Sequence, residues 1–253
     1  MSEQAANQAL GGKVAVVTGG SSGIGAACVR HLAAGGATVL IGFNRGADRA
    51  EALRASLPGS GHRTLHMPLT DPAVHDSIAK DLSAAFGHVD ILVNSAGATQ
   101  RIPHADIETL DSARFNEILL ANAGGTYSIT RALLPLLRAS KDAVVVSVSS
   151  VSAFTGLGSN VAYCAAKAAI DTMTLSLARV FGPQVRFLCI SPASVDTDFV
   201  PGRSRAELEK KAVQTPLGRI VTPEDVALAV LACVTHLRTA TGTRIVIDGG
   251  AHL

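Results

Sequence analysis

The stretch TGGSSGIG, residues Thr18–Gly25, follows a short apolar run and opens a segment with helical periodicity. Such a turn suits a dinucleotide, because it allows a tight reversal, a close backbone approach to pyrophosphate, and helix–strand contact without a Cβ. The helix N-terminus then presents N–H groups to the phosphates. Glycine-rich turns also occur for structural reasons alone, but a position after the first strand of an α/β chain favours binding. We predict that this turn binds the pyrophosphate of a nicotinamide dinucleotide.

Outward from this turn, short Val- and Ile-rich runs alternate with longer segments of helical period. Near-continuous apolar strands are typical of a parallel sheet that is buried on both faces, with helices as crossovers. The pattern predicts an α/β fold, a single-domain Rossmann-type doubly wound parallel sheet of about seven strands with helices on both faces. The predicted strands are Val14–Thr18, Thr38–Phe43, Thr64–Met67, Ile91–Val93, Ala143–Val148, Arg186–Ile190 and Arg244–Ile247. The predicted helices are Ile24–Ala34, Ala47–Leu57, Val74–Phe86, Ser112–Ala139, Ala162–Phe181 and Pro223–His236.

The 253 residues contain no repeat or long linker, so we expect one catalytic domain over 1–253, with residues 1–12 flexible. Residues 194–215 are polar and irregular, and they follow a strand end. Long loops at the carboxyl edge of such sheets usually cover a ligand, which predicts a substrate lid here. An ordinary surface excursion is the alternative.

Composition narrows the functional classes. The net charge is +2, and no basic run interleaves with aromatic residues, which argues against nucleic-acid binding. The uncharged stretch 143–166 is broken by serines and glycines, so we expect no membrane span. Four scattered cysteines and the absence of an apolar signal core indicate free thiols and a cytoplasmic location. The eight histidines show no metal-ligand spacing, so we expect no metal site.

Tyr163 and Lys167 are four residues apart in a predicted helix and therefore share one face. An ammonium close to a phenol favours the phenolate, and we expect the pKa of Tyr163 to fall from ~10 toward neutrality. The pattern alone arises by chance in many helices. Ser150 lies at the end of the fifth strand, where its hydroxyl can hold a substrate carbonyl. Ser149 and Ser152 are rivals by residue type.

Together these segments resemble the compact short-chain dehydrogenase/reductase family, including its 3-oxoacyl-carrier-protein reductase-like members. The glycine spacing resembles the family's TGxxxGIG turn, and the spacing to Tyr163 selects Ser150 as the family serine. Asn122 resembles the NxxG asparagine, which in the family keeps a water in a proton relay to the lysine. The resemblance implies that Asn122, Ser150, Tyr163 and Lys167 are catalytic, with Tyr163 as general acid/base.

Further motifs extend the resemblance over nearly the whole chain. NSAG at Asn94–Gly97 is similar to NNAG, and PASVDT at Pro192–Thr197 is similar to PGxVxT, which holds the carboxamide. PLGR at Pro216–Arg219 and DGG at Asp248–Gly250 resemble C-terminal signatures of the family. The departures from the family pattern are Ser95, Ala193 and Pro68. The implied cofactor-binding residues are Gly19, Ser21, Ser22, Gly23, Ile24, Gly25, Asn44, Arg45, Leu69, Asn94, Ala96, Gly97, Tyr163, Lys167, Pro192, Val195 and Thr197.

Cofactor choice depends on the end of the second strand. Enzymes that prefer NAD place a carboxylate there for the ribose 2′-hydroxyl, but that position is Phe43. Asn44 and Arg45 follow, a neutral donor and a fixed cation suited to a 2′-phosphate. We predict a preference for NADP over NAD of roughly ten- to hundredfold. The alternative is that Arg45 points to solvent and pairs with Asp48.

The segments Ser112–Ala139 and Ala162–Phe181 carry more apolar positions than one core-facing stripe needs. The resemblance implies that these helices form the interface of a homotetramer or homodimer.

We predict an NADP(H)-dependent oxidoreductase that moves a hydride between nicotinamide and a small-molecule carbonyl or secondary alcohol. The alternatives are a 3-oxoacyl-carrier-protein reductase, a non-catalytic NADP-binding regulator, and a sugar epimerase or dehydratase of the extended subgroup. Only Lys141 stands where carrier-protein reductases commonly present arginines, because the second position is Pro183-Gln184.

Overall fold

The structure, a computed structural model, describes residues 9–253. The predicted flexible segment 1–12 therefore lies mostly outside the described residues. Its described end is an ordered turn, because Leu10 is buried and its amide donates to the Gly35 carbonyl at 2.8 Å. The flexibility of residues 1–12 stays a prediction.

Seven parallel strands form one sheet in the order β3-β2-β1-β4-β5-β6-β7, which confirms the predicted fold class. The order reverses between β1 and β4, and in such sheets ligands bind in the crevice outside the carboxyl ends at that point. The strands are β1 Val14–Thr18, β2 Thr38–Phe43, β3 Arg63–His66, β4 Ile91–Asn94, β5 Ala143–Val148, β6 Val185–Pro192 and β7 Thr243–Ile247.

Helices cover both faces of the sheet. Helices α1 and α9 pack on one face, and α3 and α5 pack on the other. No helix in the described part of the chain is long and apolar enough to span a membrane. The helices are α1 Gly23–Ala34, α2 Ala47–Ser56, α3 Pro72–Phe86, α4 Ser112–Leu119, α5 Gly125–Ala139, α6 Ser152–Thr155, α7 Val161–Phe181, α8 Arg205–Ala212 and α9 Pro223–Thr235.

The predicted continuous helix Ser112–Ala139 is interrupted in the structure. A π-helical turn, Leu120–Gly124, joins α4 to α5. The Asn122 side chain donates to the Ile118 carbonyl at 2.8 Å, and this carbonyl is the one its own amide would bond in an α-helix. That competition between side chain and backbone accounts for the local change of helix type.

A hydroxyl joins the two strands at the reversal point. Thr18, the last residue of β1, accepts hydrogen bonds from the amides of Ser95 at 3.1 Å and Ala96 at 3.0 Å. The turn after β1 and the loop after β4 are thereby held side by side. These two loops and the ends of β5 and β6 form the edge that carries the candidate site.

Candidate active site

The turn after β1 accepts only glycine at two positions. Gly19 has φ 63°, and a Cβ on it would lie 2.9 Å from the Ala96 Cα. A Cβ on Gly25 would lie 2.2 Å from the Gly19 carbonyl oxygen. Ser22, at the N-cap of α1, makes no side-chain bond to the first turn within the described residues, so those amides face outward unbonded by a cap. This cradle fits a diphosphate, as the sequence predicts.

Helix α7 carries Tyr163 and Lys167, and Asn160 determines where it begins. The Asn160 side chain accepts from the Tyr163 amide at 2.7 Å and donates to the Gln100 carbonyl at 2.8 Å. The Lys167 ammonium is buried, donates to the Val148 carbonyl at 2.7 Å, and lies 5.4 Å from the centre of the Tyr163 ring. Asn160 is not among the residues predicted from the sequence, although asparagine is a preferred N-cap residue.

Ser150 lines the same cavity as Tyr163, and its side chain lowers the pKa of the Tyr163 phenol. Its hydroxyl also donates to the Ser152 hydroxyl at 3.0 Å and accepts from the Ser152 amide at 3.1 Å. The rival Ser149 instead donates to the Lys167 backbone carbonyl at 3.3 Å. Of the three serines, only Ser150 is among the groups that shift the pKa of the Tyr163 phenol.

Asn122 is buried and connects the π-helical turn to the loop after β4. Its amide group donates to the Ala98 carbonyl at 2.7 Å and accepts from the Ala98 amide at 3.3 Å. A Cβ on Gly97 would lie 2.7 Å from the Asn122 Oδ1, so this loop packs closely on the side chain. The side chain of Asn122 is thus bonded to backbone, and the family's water relay stays a prediction.

Burial shifts the pKa values of Tyr163 and Lys167. It raises the pKa of the Tyr163 phenol, while a hydrogen bond from Ser150 and the nearby Arg203 charge lower it. The expected net lowering by Lys167 was therefore wrong for the protein alone, because desolvation outweighs the favourable charges. Burial also lowers the pKa of Lys167 to about 8.

A cavity of about 1000 Å³ opens above these groups. The predicted lid, residues 194–215, contains α8 and supplies part of the cavity wall. Within it, Phe199 packs against Tyr163 with ring centres 5.9 Å apart, and Thr197 lies against the turn at Gly23. Phe199 and the half-buried Arg203 were not singled out as site residues from the sequence. Irregular loops give no periodic signal that shows which side chains turn inward.

Two arginines, Arg45 and Arg49, lie just after β2, where the preference for NADP over NAD is predicted to be determined. Asn44 and Arg45 are exposed at the end of β2, and in the described chain no carboxylate forms an ion pair with Arg45. The alternative pairing with Asp48 is therefore absent from this structure. Arg49 folds over Gly46 and donates to the Arg45 carbonyl at 3.3 Å, which adds a second guanidinium that sequence analysis overlooked.

A buried histidine supports the loop that follows β3. His75 is fully buried and hydrogen-bonds the Pro68 carbonyl and the Ser128 hydroxyl, both at 2.8 Å. It therefore holds the backbone that leads to Leu69, one of the predicted cofactor-binding residues. The Leu69 carbonyl lies 2.8 Å from a Cβ position on Gly125, so the loop sits directly on α5.

The other predicted residues lie at the same carboxyl edge. Asn94 ends β4 and donates to the hydroxyls of Thr130 at 3.1 Å and Ser147 at 3.3 Å. Pro192 ends β6, and Val195 is bridged to Val221 just beyond it. The sheet thus brings the cofactor and catalytic candidates to one edge, with Gly19, Ser21, Ser22, Gly23, Ile24, Gly25, Ala96 and Gly97 at the first two loops.

A family model described as enoyl-(acyl carrier protein) reductase matches residues 19–252. The cis-4-hydroxycyclohexanecarboxylate dehydrogenase of Sinomonas cyclohexanicum is 34% identical over 248 residues, covering 96% of this chain and 98% of that protein. The 3-oxoacyl-[acyl-carrier-protein] reductase of Chlamydia muridarum is 30% identical over 251 residues, covering 96% and 99%. A crystal structure of a short-chain dehydrogenase from Burkholderia cenocepacia J2315 in complex with NADP superposes with a TM-score of 0.87 at 32% identity, covering 96% of this chain and 99% of that one.

Proposed function

The chain belongs to the short-chain dehydrogenase/reductase family of oxidoreductases acting on CH–OH and C=O groups, and we propose that it is an NADP(H)-dependent member acting on a small ketone or secondary alcohol. One observation carries the proposal. The Tyr163 phenol, the Ser150 hydroxyl and the buried Lys167 side chain line one cavity. The glycine cradle lies at the same edge of the sheet.

In the reductive direction, Tyr163 donates its phenolic proton to the substrate oxygen, and Ser150 holds that oxygen in place. The reduced nicotinamide, when bound, supplies the hydride that the carbonyl carbon accepts. Lys167 supplies the buried positive charge that stabilises the phenolate left behind, and in the resembling family its ammonium also grips the nicotinamide ribose. A general acid held in this way contributes roughly 10²–10⁴-fold to the rate.

The surroundings of Tyr163 suit that role. At neutral pH its raised pKa keeps the phenol protonated, which is the form that reduction requires. Phe199 covers the ring from the lid side and helps to exclude water from the proton donor. Asn122, held by the Ala98 backbone, supports the loop beside Gly97 and stays our candidate for the proton relay.

The preference for NADP is supported by charge. Arg45 and Arg49 lie together after β2, and the position that would need a carboxylate for NAD is Phe43. The related structure that is complexed with NADP is consistent with this choice. We propose that Asn44 and Arg45 bind the 2′-phosphate.

A 3-oxoacyl-carrier-protein reductase is the second candidate, favoured by relatives such as the Chlamydia muridarum enzyme. This candidate is disfavoured because the chain lacks half of the basic charge expected for docking an acidic carrier protein. Lys141 is basic, but the second position, Pro183-Gln184, is neutral. We therefore expect free thioesters and unrelated ketones to serve about as well as carrier-bound ones. A kcat/KM at least about a hundredfold higher on a carrier-bound substrate, worth roughly 2.7 kcal/mol, would reverse this order.

We also propose that the protein is a cytoplasmic homotetramer or homodimer. Large apolar side chains remain exposed on the helices that are predicted to form the interface. Among them are Leu120 and Tyr127 near the π-helical turn, and Leu175 and Val180 on α7. Such a patch suggests a buried partner surface. Light scattering at micromolar concentration tests the assembly, and a mass of 25.9 kDa, one chain, would contradict it.

The function is tested by following NADPH absorbance with a panel of 3-oxoacyl thioesters, diketones, cyclic ketones and sugars. We expect consumption with at least one ketone and a secondary alcohol as the product. NADPH binding without consumption across the whole panel would instead favour the non-catalytic regulator.

A further inference from the structure

Arg203 is the feature of the cavity that the reaction itself does not use. It lies in the lid just before α8, and its side chain lines the same cavity as Tyr163 and Ser150. The turn Val200–Arg203, with Gly202 at φ 75°, directs the chain back toward the sheet. One guanidinium nitrogen, Nη2, donates to the Val195 carbonyl at 2.6 Å, which secures the side chain at the cavity wall.

That bond leaves most of the guanidinium's hydrogen-bonding capacity unused. The Nε atom of Arg203 is buried and has no hydrogen-bond partner among residues 9–253. A buried donor without an acceptor is destabilising, so its environment favours the arrival of an acceptor. Burial also lowers the pKa of the Arg203 guanidinium, which is the direction expected for a cation held away from water.

The carboxylates near Arg203 are already bonded to other groups. Glu207 accepts two bonds of 3.1 Å from Arg101, and Asp196 is bonded to Arg205. The other cavity carboxylate, Asp248, accepts from the His252 ring at 2.6 Å. Asp196 and Glu207 still raise the pKa of Arg203 from a distance, but neither carboxylate bonds its guanidinium in the described chain, so its donors stay free for a ligand.

This charge acts close to the reacting groups. Arg203 lowers the pKa of the Tyr163 phenol, and the phenol in turn raises that of Arg203. Both side chains line the same cavity, so one small molecule can reach both of them.

We infer that Arg203 forms an anion-binding subsite and that the substrate carries a carboxylate in the same molecule as the reacting carbonyl or alcohol. The inference rests on the proposed function, since it names the substrate class of the same cavity. Arginine suits the role because its planar fork matches the two oxygens of a carboxylate. The reaction is unchanged, and Arg203 acts as a specificity-determining residue.

The test compares keto acids with their carboxamides, which have a similar shape without the charge. Wild-type kcat/KM is measured with NADPH for both members of each pair, over a short series of spacings between ketone and carboxyl carbon. We expect the acid to be preferred roughly ten- to hundredfold in at least one pair. If no acid exceeds its amide, the inference is wrong but the proposed function stands. If no ketone of any kind is reduced, the proposed function itself fails.

Three variants test whether Arg203 causes the preference for the keto acid over its carboxamide. Arg203→Gln should bring the acid-to-amide ratio close to one, and Arg203→Lys should restore part of it because the charge returns. Arg205→Gln is the matched control, since Arg205 bonds Asp196 and Glu209 and does not line the cavity. A wild-type ratio in Arg203→Gln would overturn the inference.

A second measurement on the wild type does not depend on the variants' folding. Butyrate should inhibit the reduction of a neutral ketone more strongly than butyramide does, because only butyrate offers a negative charge and two acceptor oxygens to the guanidinium. Equal inhibition by the two compounds would contradict the subsite, and Arg203 would then serve only to hold the Val195 carbonyl.

Discussion

At the scale of single residues, the pKa values in the candidate site depend on how deeply each titratable group is buried. Lys167 is a buried cation, and its ammonium is bonded to the Val148 carbonyl. The identities of Tyr163 and Lys167 were predictable, because their spacing of four fits one face of a helix. Their pKa values were not, because desolvation depends on lid residues such as Phe199, whose packing no local pattern reveals.

Replacing the proton donor should remove turnover and leave the binding site intact. In Tyr163→Phe we expect kcat to fall at least about a hundredfold, since only the hydroxyl delivers the proton. NADPH affinity, measured by fluorescence titration, should be nearly unchanged, because the ring still packs against Phe199. A variant that kept more than about a tenth of wild-type kcat would show that another group is the acid.

The rate should depend on pH through Lys167. Its pKa is lowered by burial to about 8, so the ammonium is present below that pH and is lost as the pH rises through it. Ketone reduction should therefore be level near neutral pH and decline above about 8, as measured by kcat/KM across a buffer series. The phenol, whose pKa is raised, stays protonated over the same range. A profile that stays level well into the alkaline range would contradict this assignment.

Cofactor preference should depend on Arg45. The NADPH-to-NADH ratio of kcat/KM should fall roughly ten- to hundredfold in Arg45→Ala, since a charge-assisted contact to the 2′-phosphate is removed. The matched control is Arg54→Ala, an exposed arginine on α2 that is bonded to Glu51. An unchanged ratio in Arg45→Ala would transfer the role to Asn44 or Arg49, and a wild type that uses NADH as well as NADPH would refute the preference.

At the scale of elements, the regular strands were easier to predict than the places where helices begin or change type. The bounds of β1, β2 and β5 are those predicted, because runs of buried valines and isoleucines leave little ambiguity. The π-helical turn and the short helix α6 were missed, and no bounds were predicted for α8. One side-chain bond from Asn122 decides the first, and neither short helix is long enough to show a helical period.

The start of α7 should be sensitive to its cap. In Asn160→Ala the Tyr163 amide and the Gln100 carbonyl both lose a buried partner. We expect the free energy of unfolding to fall by about 1–3 kcal/mol in urea titrations. Asn160→Ser is the control, because serine can still cap the helix, and it should cost less. Equal stability of Asn160→Ala and wild type would mean that α7 needs no such cap.

At the scale of the whole molecule, the strand order places every candidate residue at one edge. The turn after β1 and the loop after β4 are neighbours only because the order reverses between these strands. Alternating strands and helices predicted that architecture, and the motif positions then placed the site. What could not be predicted is the inward wall of the cavity. Arg203 and Phe199 come from a loop, and their direction depends on contacts with Val195 and Tyr163.

The central claim is that this cavity transfers a hydride to a carbonyl carbon. Its most direct test uses NADPH deuterated at the transferable position of nicotinamide C4, together with the ketones that the absorbance screen identifies. Mass spectrometry and proton NMR of the product then report where the deuterium goes. We predict one deuterium on the carbinol carbon of a single alcohol enantiomer for each turnover of cofactor. Cofactor that is oxidised without deuterium appearing on that carbon would contradict the account.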